Sequence, residues 1–185
     1  DFSKSLLIIG KQIKQIENLV NEFSDFARMP KPILKDNNLV SLIKDNIKLS
    51  NELDNKIIID FKTDKPDMLM NSDSEQLSRV FFNLIKNSIE SILDKKKNDA
   101  NFIGKIDISI NENVEKINFI IIDNGLGFGK FADNIKNILN PYVTTKKKGT
   151  GLGLSIVNKI INDHNGKINF VSLENGAKIE IIFAK

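Results

Sequence analysis

Four short segments of this chain carry the residue types best suited to chemistry. The first has two side-chain amides on a predicted helix, and the second has a carboxylate and two glycines after an apolar run. The third consists of two threonines followed by a lysine, and the fourth has three glycines at the start of another predicted helix. They are residues 83–87, 123–127, 144–146 and 149–154. Each is a weak signal alone, but their order and spacing together predict one phosphate-binding site, suited to ATP.

Asn83 and Asn87 border the apolar face of the first predicted helix. Their separation of four residues places both side chains on the same side of that helix. Amide oxygens there could bind a hydrated Mg²⁺, which keeps several waters and needs few protein ligands. The chain is rich in asparagine, so the pair could equally be two polar surface positions. Spacing alone leaves both interpretations open.

Asp123 follows the apolar run of residues 119–122 and precedes Gly125 and Gly127. A carboxylate at the end of a buried strand needs a partner, because an unpaired buried charge is costly. The amino group of adenine could be that partner, and the two glycines would let the backbone approach the base without Cβ clashes. The alternative is an ordinary Asp-Asn-Gly turn.

The glycine-rich segment lies where a loop becomes a helix. Gly149, Gly151 and Gly153 would present free backbone N–H groups and the positive end of the helix to an anion such as phosphate. The spacing is neither that of a dinucleotide-binding Gly-x-Gly-x-x-Gly motif nor that of a P-loop. Three lysines precede the segment, and such a triplet is usually solvated.

The elements that position these segments predict an α+β fold. Apolar residues at alternating spacings of three and four between Leu6 and Phe23 predict a helix with a heptad seam, which ends at Pro30 and Pro32. We therefore divide the chain into residues 1–34, a helix with a hinge, and residues 35–185, a mixed α/β domain. The heptad seam favours a partner helix, although a single apolar stripe of this length is also common on a helix that packs against its own domain. Residues 35–185 are expected to form one sheet with helices on one face.

Individual elements of residues 35–185 follow from periodicity and turn chemistry. The predicted helices cover a stretch capped by residues 36–38, a long segment from residue 73 or 74 to about 93, and residues 152–163, after which Gly166 takes the left-handed conformation. The predicted strands are residues 57–61, 106–110, 117–122, 167–171 and 177–183. Residues 94–101 read as a solvated loop, and residues 126–150 read as a mobile lid with a short helical patch at 135–139.

Composition excludes several classes of function. The chain has no cysteine and one histidine, so it offers no thiolate chemistry and no site that needs two histidines. A net charge of +3, with lysines spread among carboxylates, gives no reason to expect nucleic-acid binding. No apolar run approaches the roughly 20 residues that cross a bilayer. This portion is therefore expected to be cytoplasmic.

The four segments resemble the N box, the first glycine box, the F box and the second glycine box of sensor histidine kinases of two-component systems. Their ATP domain has the Bergerat fold, a two-layer α/β sandwich with a mixed sheet, which gyrase, Hsp90 and MutL share. Residues 21–32 further resemble the end of the dimerisation helix pair in nitrogen-regulation kinases of the NtrY type. The resemblance implies that residues 1–34 are the second helix of the dimerisation and phosphoacceptor region with a hinge, and that residues 35–185 are the ATP-binding catalytic domain. The resemblance implies transfer of the γ-phosphoryl group of ATP to a histidine on a dimerisation helix.

Residue roles follow from the resemblance by position. Asn87 is implied as the Mg²⁺ ligand, Asn83 as its companion near the phosphates and Lys146 as a lysine that reaches the phosphates, and these three are the implied catalytic residues. Asp123 is implied to read adenine, and Tyr142 is the lid aromatic. The implied nucleotide-binding residues are Asn83, Asn87, Asp123, Gly125, Gly127, Tyr142, Thr145, Lys146, Gly149, Thr150, Gly151, Leu152, Gly153 and Leu154. Ala177 and Lys178 depart from the family, in which many members have a threonine near the adenine.

The acceptor histidine is missing from the sequence. His164 lies at the end of a predicted helix, where we expect it to cap carbonyl groups, so the chain is expected to begin between the two dimerisation helices. The implied partners are the dimerisation helix of its own kinase, in a homodimer, and the receiver domain of a response regulator. The full-length protein could be anchored in the inner membrane, and in that case the anchor would lie in segments outside this chain.

Two alternatives stay open beside the kinase. The first is a non-catalytic nucleotide-binding module, a pseudokinase, which the intact Asn87, Asp123 and glycines disfavour. The second is a Bergerat-fold ATPase. The resemblance implies that such ATPases carry a glutamate where this chain has Asn83, and an amide cannot act as a general base at neutral pH.

Overall fold

The computed structural model describes residues 2–54, 56–99, 101–129, 137–141, 143 and 150–185. Four helices and seven strands are described within these ranges. The helices are α1 (Phe2–Ala27), α2 (Leu39–Asn51), α3 (Ser74–Lys96) and α4 (Gly153–Asp163). The strands are β1 (Lys35–Asn38), β2 (Ile58–Thr63), β3 (Leu69–Ser72), β4 (Lys105–Glu112), β5 (Lys116–Asp123), β6 (Gly166–Leu173) and β7 (Gly176–Ala184).

Five strands form a mixed sheet in the order β2-β4-β5-β7-β6. Strands β2 and β4 pair in parallel, and the other three pairs are antiparallel. Ile106, Ala177 and Asp123 lie opposite one another at the end of β5, since Asp123 pairs with both neighbours in register. The central strands therefore deliver Asp123 to one edge of the sheet.

Alternate residues of the central strands point into the core. Positions on the inner face of β4, β5 and β7 are buried, whereas most of their neighbours are only half-buried. The inner positions are Ile106, Ile108, Ile110, Ile117, Phe119, Ile121, Ile179, Ile181 and Phe183. They pack against α3, which contributes Leu77, Phe81, Leu84 and Ile85, and against α4. The predicted fold class, a two-layer sandwich with helices on one face of a mixed sheet, is confirmed.

The prediction of a single sheet was wrong. Strands β1 and β3 form a separate antiparallel pair, and neither was recognised in the sequence. Both have only four residues, and the sequence of β1 is wholly polar, so no alternation marks them. The predicted cap is nevertheless present, because Asn38 accepts hydrogen bonds from the N–H groups of Val40 and Ser41 at the start of α2.

Two further boundaries differ from the prediction. Helix α3 continues to Lys96 rather than ending near Leu93. At the end of α4 the left-handed residue is Asn165, with φ 56°, and not Gly166. Gly166 is required for a different reason, since a Cβ there would lie 2.9 Å from both Ile161 Cγ2 and Phe183 Cδ1.

Helix α1 confirms the predicted amphipathic helix and ends before the two prolines. Its seam residues are 46–63% exposed in the single chain, so the apolar stripe still faces solvent. They are Leu6, Ile9, Ile13, Ile16, Val20 and Phe23. Within the described ranges, α1 and the other helices are all too short or too polar to span a bilayer. The division of the chain at residue 34 stays a prediction.

Candidate functional site

Asp123 is buried at the end of β5, with 5% of its surface exposed. Its Oδ1 accepts a hydrogen bond from the Gly125 N–H at 2.9 Å, and its Oδ2 accepts one from the Ser88 hydroxyl at 3.1 Å. Burial raises the pKa of Asp123 above its ordinary value, although these two donors, the Lys95 ammonium and the Ala177 N–H oppose it. A ligand N–H that donated to this carboxylate would stabilise its charged form.

The turn after Asp123 is fixed by the protein itself. Asn124 Oδ1 accepts from the Lys105 N–H at 2.8 Å, and its Nδ2 donates to the Ile103 carbonyl at 2.9 Å. A Cβ at Gly125 would collide with the Ser91 hydroxyl and would lie 2.9 Å from the backbone nitrogen of Ile92 in α3. The absence of a side chain at Gly125 is therefore required by helix packing, whether or not a base also approaches the turn as predicted.

Gly127 has a similar internal role. Its φ is +68°, and a Cβ would lie 2.6 Å from the Gly176 carbonyl oxygen. Gly176, with φ +115°, leaves no room for a side chain because its Cβ would strike the Asp123 carbonyl. The two glycines allow the turn after β5 and the start of β7 to pack directly on each other.

The first residues of the predicted lid are also anchored. Leu126 N–H donates to Ser91 Oγ at 2.9 Å, and the rings of Phe128 and Phe170 meet edge to face, with their centroids 5.8 Å apart. Residues 137–139 form one 3₁₀ turn, in which Ile138 is buried. The sequence analysis overlooked these apolar anchors, and the predicted mobility of the segment stays a prediction.

Helix α3 presents a polar stripe to this region. Asn83, Asn87, Ser91 and Lys95 follow one another at intervals of four residues, so they share one side of the helix. Ser91 and Lys95 contact the turn after β5 directly. The half-buried Asn83 and Asn87 extend the same stripe toward the N-terminal end of α3.

Lys95 was missed by the sequence analysis, which placed it in a solvated loop. Its Nζ donates to the Asn124 carbonyl at 2.8 Å and to the Gly125 carbonyl at 3.2 Å. The ammonium also lies 4.7 Å from the ring centroid of Phe102. The four-residue spacing that begins at Asn83 continues to Lys95. This spacing could have predicted that Lys95 lies on the same side of the helix.

Helix α4 begins without a side-chain cap from any described residue. Leu152, at the N-cap position, is fully buried, and its N–H has a long hydrogen bond of 3.4 Å to Thr150 Oγ1. Gly151 has φ +73°, a conformation that suits glycine. The first N–H groups of α4, including those of Gly153 and Leu154, are thus placed to bind an anion.

The structure brings three of the predicted segments around α3. The Asp123 turn contacts α3 through Ser88, Ser91 and Lys95, and α4 packs against the same helix. Four of the predicted site residues lie outside the described residues, namely Tyr142, Thr145, Lys146 and Gly149. Thr144, of the same predicted segment, also lies outside them. The assignment of individual ligand contacts stays a prediction.

His164 has the structural role expected of it. It is buried at the end of α4, where Nδ1 lies 2.8 Å from the Ile160 carbonyl oxygen and Nε2 accepts from the Asp73 N–H at 3.0 Å. This pair of contacts fits the neutral tautomer with its proton on Nδ1. Both ring nitrogens are occupied by the fold.

Comparisons with known proteins agree with this geometry. Residues 72–185 match the family described as histidine kinase-, DNA gyrase B-, and HSP90-like ATPase. An NtrY-like sensor histidine kinase of Rickettsia felis is 34% identical over 99% of this chain, and the chain covers 29% of that protein. The nitrogen regulation protein NtrY of Azorhizobium caulinodans is 37% identical over 86% of this chain and is covered to 20%.

Solved structures show the same fold. The nucleotide-free catalytic domain of histidine kinase ThkA superposes with a TM-score of 0.70 at 31% identity, over 82% of this chain and 95% of that one. ThkA in complex with the response regulator protein TrrA superposes with a TM-score of 0.77 at 27% identity, over 100% of this chain and 52% of that one. The likeness to ThkA in the complex therefore includes α1.

The chain spans less than a third of the length of the curated relatives described above. The family match nevertheless covers more than half of the chain, and it includes the Asp123 turn and the open start of α4. The chain therefore belongs to the histidine kinase-, DNA gyrase B- and HSP90-like ATPase family, as the ATP-binding domain of a sensor histidine kinase.

Proposed function

We propose that this domain holds MgATP and transfers its γ-phosphoryl group to a histidine on the dimerisation helix of its own kinase. One observation carries the proposal. A carboxylate is buried at the end of β5, and no described side chain caps the helix that begins at Gly153. Both elements are packed against α3. The first can read a base and the second can hold phosphates, as one nucleotide requires.

Asp123 would recognise adenine. The exocyclic amine of adenine donates to the carboxylate, whereas guanine presents a carbonyl at the same position. A carbonyl would leave the buried carboxylate without its donor, and such a mismatch discriminates strongly between ligands. Because the pKa of Asp123 is raised by burial, a donor from the base would also favour its ionised state. Ala177 lies opposite Asp123 in the register of β5 and β7, so its methyl group is next to the carboxylate.

The phosphates would lie at the start of α4, with Thr150 and Gly151 leading into it and Lys146 reaching them from the lid. The donor set of α3 fits Mg²⁺, since Asn87 and Asn83 supply amide oxygens and Mg²⁺ on a nucleotide needs few protein ligands. The described residues contain no cluster of three or more acidic, histidine or cysteine side chains for a metal. Mg²⁺ bound there would neutralise phosphate charge.

The reaction needs little covalent chemistry from this domain. An imidazole nitrogen of the acceptor attacks the γ-phosphorus, the bond from that phosphorus to the β–γ bridging oxygen breaks, and ADP leaves with the electron pair. The domain positions the nucleotide and neutralises charge, which are the main contributions in phosphoryl transfer. Asn83 cannot activate water as a carboxylate could, so transfer to a protein acceptor is favoured over hydrolysis.

The exposed seam of α1 supports a helical partner. Apolar residues that are half exposed in the single chain would leave water on pairing with the helix that bears the histidine, within a homodimer. The ThkA complex supports a response regulator as the next acceptor of the phosphoryl group. The same proposal includes attachment of the parent protein to the membrane through segments outside this chain.

The first experiment measures ATP affinity with and without Mg²⁺ by titration calorimetry. Asn87→Ala should weaken binding of MgATP by about tenfold to a hundredfold, since it removes one ligand of a charged complex. Asn101→Ala makes the same chemical change at an exposed position beyond α3 and should bind as the wild type does. Equal affinity of a folded Asn87→Ala protein would refute the metal assignment.

The second experiment separates the kinase from its alternatives. The chain alone should bind ATP without labelling itself from γ-labelled ATP, because both ring nitrogens of His164 are already bonded. When a separate histidine-bearing dimerisation helix is added, label should appear on that helix. Binding without transfer would favour a pseudokinase, and rapid release of phosphate into water would favour an ATPase.

A further inference from the structure

Lys95 occupies an unusual position for a lysine in the last turn of a helix. Such lysines commonly bond the free carbonyls of their own helix. The Lys95 ammonium instead donates to the carbonyl oxygens of Asn124 and Gly125, at 2.8 Å and 3.2 Å, in the turn after β5. It is half-buried and lies 4.7 Å from the ring centroid of Phe102.

These contacts hold the side chain from three sides. Two carbonyl oxygens accept hydrogen bonds from the ammonium, and the face of Phe102 attracts the same charge. Ordering a lysine costs conformational entropy, so the position is kept because these contacts outweigh that cost. These contacts also stabilise the turn, because the carbonyls of two consecutive peptides, those of Asn124 and Gly125, are held at a fixed distance from α3.

We infer that Lys95 is a positioning residue for the nucleotide, which clamps the turn after Asp123 and so fixes the carboxylate that meets the base. The inference rests on the proposed function. Ser91 completes the clamp one helical turn earlier, since its Oγ accepts from the Leu126 N–H. Lys95 and Ser91 thus bind the backbone before and after Gly125. The Gly125 N–H itself donates to Asp123.

Lys95 also acts on Asp123 through its charge. Ser88 on α3, the Gly125 N–H of the turn and the Ala177 N–H of β7 face the carboxylate as neutral donors. Among the described residues, Lys95 is the one charged group that lowers the pKa of Asp123. The nearest cation on β4, Lys105, is occupied by Asp60 and Asp107 at 3.2 Å and 2.8 Å.

The test measures ATP affinity as a function of pH for the wild type, Lys95→Met and Lys95→Arg. Methionine keeps most of the apolar stem and removes the charge and the donors. Lys95→Met should weaken ATP binding about tenfold at neutral pH. It should also move the acid limb of the affinity profile to higher pH, because the ionised form of Asp123 loses a favourable charge. Lys95→Arg should restore most of both effects.

Lys97→Met is the matched control. It removes an exposed lysine two residues away, whose ammonium pairs only with the exposed Asp94 among the described contacts, and its affinity profile should match the wild type. Unchanged affinity in Lys95→Met, or reduced affinity with the acid limb unmoved, would overturn the inference. If Lys95→Met does not fold, the ATP affinity and the acid limb of the affinity profile are measured for Lys95→Gln instead. A wild type that does not bind ATP would refute the proposed function instead.

Discussion

The N-termini of α3 and α4 lie in the same layer of the sandwich, but they differ in capping by side chains. Asp73 caps α3, since its Oδ1 accepts from the Gln76 N–H at 3.0 Å. Its Oδ2 accepts from the Ile33 N–H of the segment after α1 at 2.8 Å, and its own N–H donates to His164. No described side chain caps α4.

The difference shows how one physical feature serves two purposes. Every helix begins with N–H groups that have no partner within the helix. At α3 the protein satisfies them internally and gains stability and a junction of α3, α4 and the segment after α1. At α4 no described side chain caps them, and under the proposed function they are available to the phosphates of the nucleotide.

The two carboxylates Asp73 and Asp123 differ in the same sense. Burial opposes ionisation of both, but at Asp73 the N–H groups of Gln76, Ile33 and Glu75 outweigh it and lower its pKa. At Asp123 burial prevails and raises the pKa. The hydrogen bonds therefore outweigh burial at the first carboxylate but not at the second.

The largest effect is expected from breaking the junction at His164. His164→Ala would leave a cavity and remove the acceptor of the Asp73 N–H and the side-chain bond to the Ile160 carbonyl. The free energy of unfolding should fall by about 3 kcal/mol. Urea denaturation measures it. His164→Gln, which keeps a polar amide, should lose less, and an Ala variant as stable as the wild type would contradict a structural histidine.

Removal of the α3 cap should have a smaller effect. Asp73→Ala should lower the free energy of unfolding by about 1–2 kcal/mol, as for other lost N-caps, and should speed hydrogen exchange of the Ile33 amide. Because the folded pKa of Asp73 is lowered, its contribution is present above the unfolded pKa of about 4 and is lost as pH falls through the folded pKa. The loss in Asp73→Ala should therefore shrink in acid.

Asp73→Asn is the control for this prediction. Asparagine is a good cap and keeps one side-chain oxygen, so it should be more stable than the alanine variant at neutral pH. A difference between wild type and Asp73→Ala that grew in acid would contradict the sign. Unchanged exchange at Ile33 would show that the contact between Asp73 and the segment after α1 does not form in solution.

Asp123→Asn should act in the opposite direction. Since the folded pKa of Asp123 is raised, its stabilising effect is present below the unfolded pKa of about 4 and is lost as pH rises through the folded pKa. At neutral pH the neutral amide should raise the free energy of unfolding by about 1 kcal/mol. Its oxygen can still accept from Gly125, and its nitrogen can donate to Ser88 Oγ.

Two measurements check the Asp123→Asn prediction. Thermal unfolding without nucleotide should show an advantage of the Asn variant that disappears below pH 4. ATP binding should be weaker in the same variant, since the amide is a poorer acceptor than a carboxylate. A variant that is less stable at neutral pH would show that the carboxylate is satisfied by the fold alone.

The sequence was most informative where spacing and physical chemistry agree. Alternation predicted β4, β5 and β7, and four-residue intervals placed Asn83 and Asn87 on one helix side. It was least informative where partners are distant along the chain. Strands β1 and β3 are too short to show alternation, and the contact of Lys95 with the turn after Asp123 depends on how α3 crosses the sheet.

The same limit applies to the glycines. A sequence shows that Gly125 has no side chain, but only the fold shows that α3 occupies the space. His164 was recognised as structural because histidine at a helix end has a local role. Its bond to Asp73, 91 residues earlier, has no local signature in the sequence. The family resemblance predicted the site, and packing explains why Gly125 and Gly127 within it have no side chain.

The smallest effect on stability is expected from closing the open end of α4. A Cβ at Gly153 meets no described atom within 4 Å, so Gly153→Asp should fit and should stabilise the free protein by about 0.5 kcal/mol, through the helix dipole and reduced flexibility. The new carboxylate should compete with the phosphates and weaken ATP binding. Two control variants separate the effect of charge from that of stability. Gly153→Ala also reduces the flexibility of the chain but adds no charge, so it should bind ATP more tightly than Gly153→Asp.

Ser74→Asp adds the same charge at the start of α3, where Asp73 already caps the helix, and should leave ATP affinity unchanged. Equal ATP affinity of Gly153→Asp and Gly153→Ala would show that the two helix N-termini do not differ in function.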